Sequence, residues 1–377
     1  MKSDPQTPSL HPPAAALPEW RRRLRQVSER HPDIASRLLQ ALERQRLDAG
    51  DLAGSIDLLC QRFQLQEHRG RALDLGDELQ DAATRAQAAG LSMQAARVFE
   101  ALGRVAYQQG NYLDATEHWS RALDLAETAG DDRVGVSALV GLGQIQFAMG
   151  AWTAGLRFHR DASSRLSALS AGGQNDLSDS YLATKVALNL GVGHFESGQA
   201  EDAERHFSHG LASALRGAHR EFEAEAHWHL ARAALARGQL QRAIADCRLA
   251  LHIAAHLHHH WLEAAASRTW TDIALARGDE AAAERSTEHG LALAERIQSK
   301  PEQSRAHLQL ARLLDKRGDL RLALDHLWRH VALQAEVERQ TLPNRSALLG
   351  HPGSAQRAIT TPAAAASATN TSSPSAR

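Results

Sequence analysis

Histidine is the residue here most able to do chemistry: the chain has 21, and five of them, His252, His256, His258, His259 and His260, stand just ahead of Trp261. On one continuous helix His252, His256 and His260 would fall four apart along a single face, a spacing that can hold zinc or nickel. No carboxylate or thiol cluster accompanies them, and the other reading is a frayed helix end in a histidine-rich chain. The only cysteines, Cys60 and Cys247, are too far apart for a metal knuckle or a disulfide framework. They fit a reducing compartment and read as small buried hydrophobes. There is no glycine-rich phosphate loop, no G-x-S-x-G elbow and no H-E-x-x-H pair, and Gly191-Val192-Gly193-His194 falls inside a helical pattern. The expectation is a non-enzyme with no catalytic residues and no cofactor.

Charge excludes further classes. With 43 basic against 44 acidic side chains the formal net charge is −1, so neither bulk nucleic acid nor an anionic membrane is the expected partner. One stretch is locally basic, with Arg21, Arg22, Arg23, Arg25, Arg30, Arg37, Arg44 and Arg46 facing Glu29, Asp33 and Glu43. It reads as a solvated helix face or an interaction arm. No run of about 18 apolar residues occurs and the first residues carry no continuous apolar core, which together place the chain in the cytoplasm.

These residues are set out by a repeat. Gly70, Gly110, Gly150, Gly198, Gly238, Gly278 and Gly318 follow one another at intervals of 40, 40, 48, 40, 40 and 40. Glycine suits the left-handed position that ends a helix, so each marks a turn between paired helices. Seven residues before the last six stand the small residues Gly103, Gly143, Gly191, Ala231, Thr271 and Ala311, each preceded by Leu or Trp. After the glycines come Ala115, Gly155, Ala203, Ala243, Ala283 and Ala323, and seven further on Ala122, Ala162, Gly210, Ala250, Gly290 and His330. Small residues at fixed register let paired helices approach closely. The eight-residue excess between Gly150 and Gly198 maps to Ser170–Asp176, a polar, glycine-rich loop.

This pattern resembles the tetratricopeptide repeat, a helix-turn-helix unit of about 34 residues with a W-x2-L-G-x2-Y signature. The Leu-Gly pair is literal at 102–103, 142–143 and 190–191. The family's proline is missing at the repeat ends, and its tryptophan is replaced by Phe99, Leu139, Ala187, His227, Ser267 and His307. The resemblance implies an all-α, right-handed superhelical solenoid of antiparallel helix pairs with about 40-residue repeats. Residues 51–340 form about seven such units, the first degenerate, with Phe63 and Leu75 where small residues belong. Residues 18–49 supply a capping pair of helices, and 1–17 a disordered lead.

In that family the first helix of each unit lines a concave groove. The resemblance puts there Arg97, Arg104, Tyr107, Phe147, Lys185, Asn189, Phe195, Trp228, Arg232, Arg268 and Arg312. Arginines among aromatic rings suit an acidic protein or peptide partner, because a guanidinium grips a carboxylate through two hydrogen bonds. Equally, the arginines can pair with Glu225, Asp272 and Asp315 and leave the groove neutral. The sequence sets no oligomeric state.

The helix after Gly318 loses its apolar stripe by Gln334–Gln340 and meets Thr341-Leu342-Pro343-Asn344-Arg345. This string, with Leu348 or Leu349 beyond, resembles the L-P-N-R start of the catalytic domain of diguanylate cyclases, which follows repeats of this kind in many bacterial signalling proteins. Gln340-Thr341 departs from that signature. Residues 341–377 are otherwise a low-complexity tail, and the motif's catalytic acids are absent. The expectation is a signalling scaffold related to cyclase sensor regions. The alternatives are a truncated cyclase of cyclic di-GMP signalling and a free-standing adaptor or transcription-regulator arm.

Overall fold

A computed structural model describes residues 27, 31–67, 71–171 and 177–341, without the side chains of 171, 177–179, 340 and 341. Among the described residues every regular element is helical. The chain opens with α1 (Pro32–Asp48) and α2 (Leu52–Glu67), and a short 3-10 turn (Ala72–Leu75) leads into α3 (Gly76–Ala88). Six hairpins follow: α4 (Ser92–Gln108) with α5 (Tyr112–Ala129), α6 (Asp132–Ala148) with α7 (Trp152–Ala171), and α8 (Leu177–Glu196) with α9 (Ala200–Gly217). The last three are α10 (Arg220–Ala236) with α11 (Leu240–His256), α12 (His260–Ala276) with α13 (Glu280–Arg296), and α14 (Lys300–Arg317) with α15 (Leu320–Thr341). Each hairpin packs on the next, and the even-numbered helices also touch one another in series, forming the inner layer of a right-handed, tetratricopeptide-like solenoid.

The turns explain the glycine ladder. Gly110 has φ +77°, a region costly to any residue with a Cβ, and the five later ladder glycines adopt the same conformation. Gly70 and the lead residues 1–17 lie outside the described residues, as does most of 18–30. A second ladder joins one hairpin to the next at Gly50, Gly90, Gly130, Ala218, His258 and Gln298. Its last three members are strained, with φ between 52° and 54°. Replacing Ala218, His258 and Gln298 with glycine should stabilise the chain by roughly 0.5–1 kcal/mol per site, read as a rise in the thermal midpoint. The Ser170–Asp176 loop is shorter than expected, because α7 continues through Ala171 and α8 begins at Leu177. Part of the insertion is spent on longer helices; residues 172–176 lie outside the described ones.

Within four of the hairpins, the small residue of the inner helix meets a residue 16 positions on. A Cβ at Gly103 would run into Trp119, one at Gly143 into His159 and one at Gly191 into Phe207. Farther along, Thr271 and Thr287 meet through their hydroxyls at 3.0 Å. Bulky partners face glycine and small ones face larger neighbours, so the spacing between paired helices is kept while the residues change.

The coil also returns on itself. Val337 of α15 belongs to the same apolar cluster as Tyr112 and Trp119 of α5. A Cβ built on Gly110 would lie 3.2 Å from Val337 and 3.4 Å from Pro301 of α14. The last hairpin is therefore seated on the turn between α4 and α5, so the coil touches itself there.

Candidate functional site

The inner wall is a relay of ion pairs between successive units. Arg97 reaches back to Asp57 (2.8 Å) and forward to Asp131 (3.1 Å), joining three units. Arg104 grips Glu67 through two nitrogens and lies 3.6 Å from Glu100. Lys185 completes this group, 2.8 Å from the Ser137 hydroxyl and 3.5 Å from Glu100. Burial opposes ionisation of Glu100, but Arg104, Lys185 and the Ser137 hydroxyl outweigh it and hold the carboxyl below its ordinary value. For Glu67 burial wins over Arg104, and its carboxyl is raised. Burial also depresses Lys185.

Farther round, Arg232 pairs with Glu196 (2.6 Å) and lies over Phe195 at 4.7 Å and Trp228 at 5.4 Å. Trp228 is buried, its indole N–H donating to Thr269 at 2.9 Å. Arg268 and Arg305 share Glu302, whose carboxyl is buried yet held low because the two guanidiniums outweigh the cost of burial. Burial lowers the Arg232 guanidinium, and the nearby Arg268 and Arg305 add to that by repulsion, a sign that positive charge is concentrated here. Asn189 is held by Gln144 (3.1 Å) and by the Lys185 carbonyl (2.8 Å). Tyr107 stacks obliquely on Tyr112 and Trp119, with centroids 5.5 and 5.8 Å away.

Three expectations need correction. Phe147 does not face the groove: it is buried against Trp152 and His159, with centroids 5.4 and 4.8 Å away, and fills the space left by Gly155 and Gly193. No ion pair joins the arginines to the alternative partners Glu225, Asp272 and Asp315 among the described residues, although Arg268, Arg232 and Arg312 lie close enough to Asp272 to oppose the effect of burial on its carboxyl. Asp272 instead takes Gln309 at 3.2 Å, Glu225 lies 3.7 Å from His229 and Asp315 is exposed. Arg312 is exposed and forms no ion pair among the described residues, whereas Arg305, which the same register projects onto the wall, pairs with Glu302. Third, His252, His256 and His260 do not share a helix face. α11 ends at His256 and α12 begins at His260, with left-handed His258 between, so His252 and His256 are exposed while His260 is buried. No group of three His, Cys, Asp or Glu side chains able to hold a metal occurs among the described residues. Burial pushes the thiols of Cys60 and Cys247 up to about 12, which leaves them poor nucleophiles.

The acids that sequence reasoning missed, Asp57, Glu67, Glu196 and Glu302, stand 40, 37, 36 and 34 positions from their arginines. Only Asp57 stands a full repeat from its arginine; the other three fall three to six positions short of that spacing.

Three solved structures share this fold. One is the Rap conjugation gene regulator of the plasmid pLS20 in complex with the Phr* peptide (18% identity, 76% of this chain and 75% of that one, TM-score 0.58). Another is a Rap protein complexed with Competence and Sporulation Factor (14%, 87% and 99%, TM-score 0.55). The third is the apo form of RapI (10%, 81% and 99%, TM-score 0.51). The likeness is one of fold. No family model and no curated protein matches the chain. Among the described residues no helix is long and apolar enough to cross a membrane.

Proposed function

We propose that this chain is a non-catalytic, cytoplasmic scaffold that receives a protein or peptide segment of acidic character against its inner wall, in a regulatory or signalling role. In this reading residues 51–340 are the receptor body and 18–49 its cap. The observation that carries it is Arg232, a guanidinium poised over two aromatic faces beside Arg268 and Arg305, with His229 at 3.3 Å and one exchangeable carboxylate, Glu196. A guest carboxylate arriving there replaces Glu196 without leaving a buried charge unpaired. The fold shared with regulators solved with the Phr* peptide and with Competence and Sporulation Factor supports the same reading.

The test uses the full chain and a pool of fluorescent acidic decapeptides, with Asn/Gln counterparts as controls. Acidic peptides should be retained preferentially, Arg232→Ala should weaken them roughly 10-fold to 100-fold, and Glu196→Gln, which frees the guanidinium, should tighten them. Equal retention of both pools, or indifference to both substitutions, would sink the reading. A second reading, the sensory half of a diguanylate-cyclase-type signalling protein, is favoured by Leu342–Arg345, which lies outside the described residues. Cyclic dinucleotide made from GTP by the purified chain would overturn the non-catalytic assignment.

A further inference from the structure

Inside each hairpin a residue of the inner helix faces the one 19 positions on, and this pair changes from unit to unit. Phe99 stacks on His118, with centroids 5.9 Å apart. The Ser286 hydroxyl donates to the Ser267 carbonyl at 2.8 Å. His227 Nδ1 lies 2.8 Å from Asp246 Oδ1, a carboxylate that can accept from the ring whether the ring is neutral or charged. In the last hairpin both residues are histidines: His307 of α14, only 4% exposed, and the half-buried His326 of α15, their Nδ1 atoms 2.9 Å apart.

Two imidazoles can bond through these nitrogens only while one of the two lacks its hydrogen. One extra proton can be shared across the bond, but a second leaves two N–H groups and two positive charges facing each other inside the hairpin. The surroundings do not relieve this. On α15, Asp325 is engaged by Arg329 at 3.0 Å, and His330 turns its Nδ1 to the Ser304 hydroxyl at 2.8 Å. From α13, Glu284, Glu288 and Glu295 line the same opening as His326, but Glu284 is taken by Arg317 of α14. Burial pushes His307 down to about 4, with His326 and Arg329 adding to it against Asp325. Burial and Arg329 also lower His326, against Asp325 and Glu288.

We infer that this imidazole pair is an acid-sensitive latch: when both rings are charged, α15 separates from α14 and carries Val337 away from Gly110. The pair sits in the hairpin whose outer helix closes the coil, so a local opening there has a consequence for the whole solenoid. Both histidines have folded values below the ordinary 6.5, so the closed hairpin refuses protons that the open one accepts. Closure is therefore complete above about pH 6.5 and weakens as pH falls toward 4. The other polar tie between these helices, Lys300 to Glu336 at 2.6 Å, does not respond in this range, because Lys300 holds the exposed carboxyl below its ordinary value and it stays ionised.

The experiment is hydrogen–deuterium exchange on the full chain at pH 7.5 and pH 5 in the presence of EDTA, with rates corrected for intrinsic chemical exchange. Two variants borrow pairs the solenoid already uses: His326→Asp reproduces His227 with Asp246, and His307→Ser with His326→Ser reproduces Ser267 with Ser286. Between the two pH values the amides of α15 in the wild type should lose about 30-fold more protection than in either variant, the shift for one imidazole held at about 4 instead of 6.5. Circular dichroism at pH 7.5 establishes that a variant is folded, and each variant decides the question alone. A wild-type loss no greater than the variants' overturns the inference, and so does a loss spread evenly over all the hairpins. Peptide binding at Arg232 is read separately and does not enter this result.

Discussion

Between pH 7.5 and 5 the thermal midpoint should fall by roughly 5–10 °C, because folding forces several imidazoles to stay neutral. His159 is fully buried, finds no hydrogen-bond partner for either ring nitrogen, and is pushed down to about 3 by burial and by the nearby Lys185. His259 caps α12 by accepting from the Leu262 N–H at 3.3 Å, which requires an unprotonated nitrogen. Burial takes it to about 4 despite the opposing charge of Glu225. Both folded values lie below the ordinary 6.5, so the unfolded chain takes up protons that the folded chain refuses. Stability is therefore complete above about pH 6.5 and drains as pH falls toward the folded values, about 2 kcal/mol from each residue by pH 5. His229 and His307 are shifted the same way, chiefly by burial. Glu43 and Glu67, raised by burial, bind protons in the folded state and offset part of the loss. Replacing His159 with Phe, the residue used opposite Gly191, and His259 with Asn, which can still cap, should more than halve the fall. Parallel pH curves for wild type and double variant would refute the assignment.

A loss of about 3–5 kcal/mol is expected for Trp119→Ala. The indole lies between α4 and α6, flanked by Gly103 on one helix and Gly141 on the other, and its N–H donates to the Glu100 carbonyl at 3.2 Å. Neither glycine can grow to fill the space left behind, so the cavity persists. Gly141→Val should destabilise by a similar route in reverse, driving methyl groups into the ring. Denaturant midpoints followed by circular dichroism measure both, and a change below about 1 kcal/mol in either would show that the indole is not the spacer between these units.

The hairpin turns were legible because a left-handed residue there is worth a glycine, and Gly110 through Gly318 advertise it. The second ladder was marked by glycine only at Gly50, Gly90 and Gly130; packing between hairpins imposes the same conformation on Ala218, His258 and Gln298 with no glycine to mark them. For the same reason the histidine run looked continuous although it spans a turn. The inner wall was half readable. Register placed Arg97, Arg104, Arg232 and Arg268 on it, but Phe147, projected by the same register, is drawn into the core by the gaps at Gly155 and Gly193. Which acid meets which arginine depends on how one unit is offset from the next. The contact between α15 and α5 depends on the pitch summed over the intervening units, a quantity no local pattern records.

An ordinary solenoid behaves as a spring, stretching and twisting a little at every joint. Here Val337 and Pro301 clasp the last coil to the corner at Gly110, so the extension that would otherwise be spread along the whole length is blocked until that clasp lets go. The chain is accordingly stiff for small loads and yields abruptly at one place, and a guest that needs more room inside must first undo a few apolar contacts at the rim.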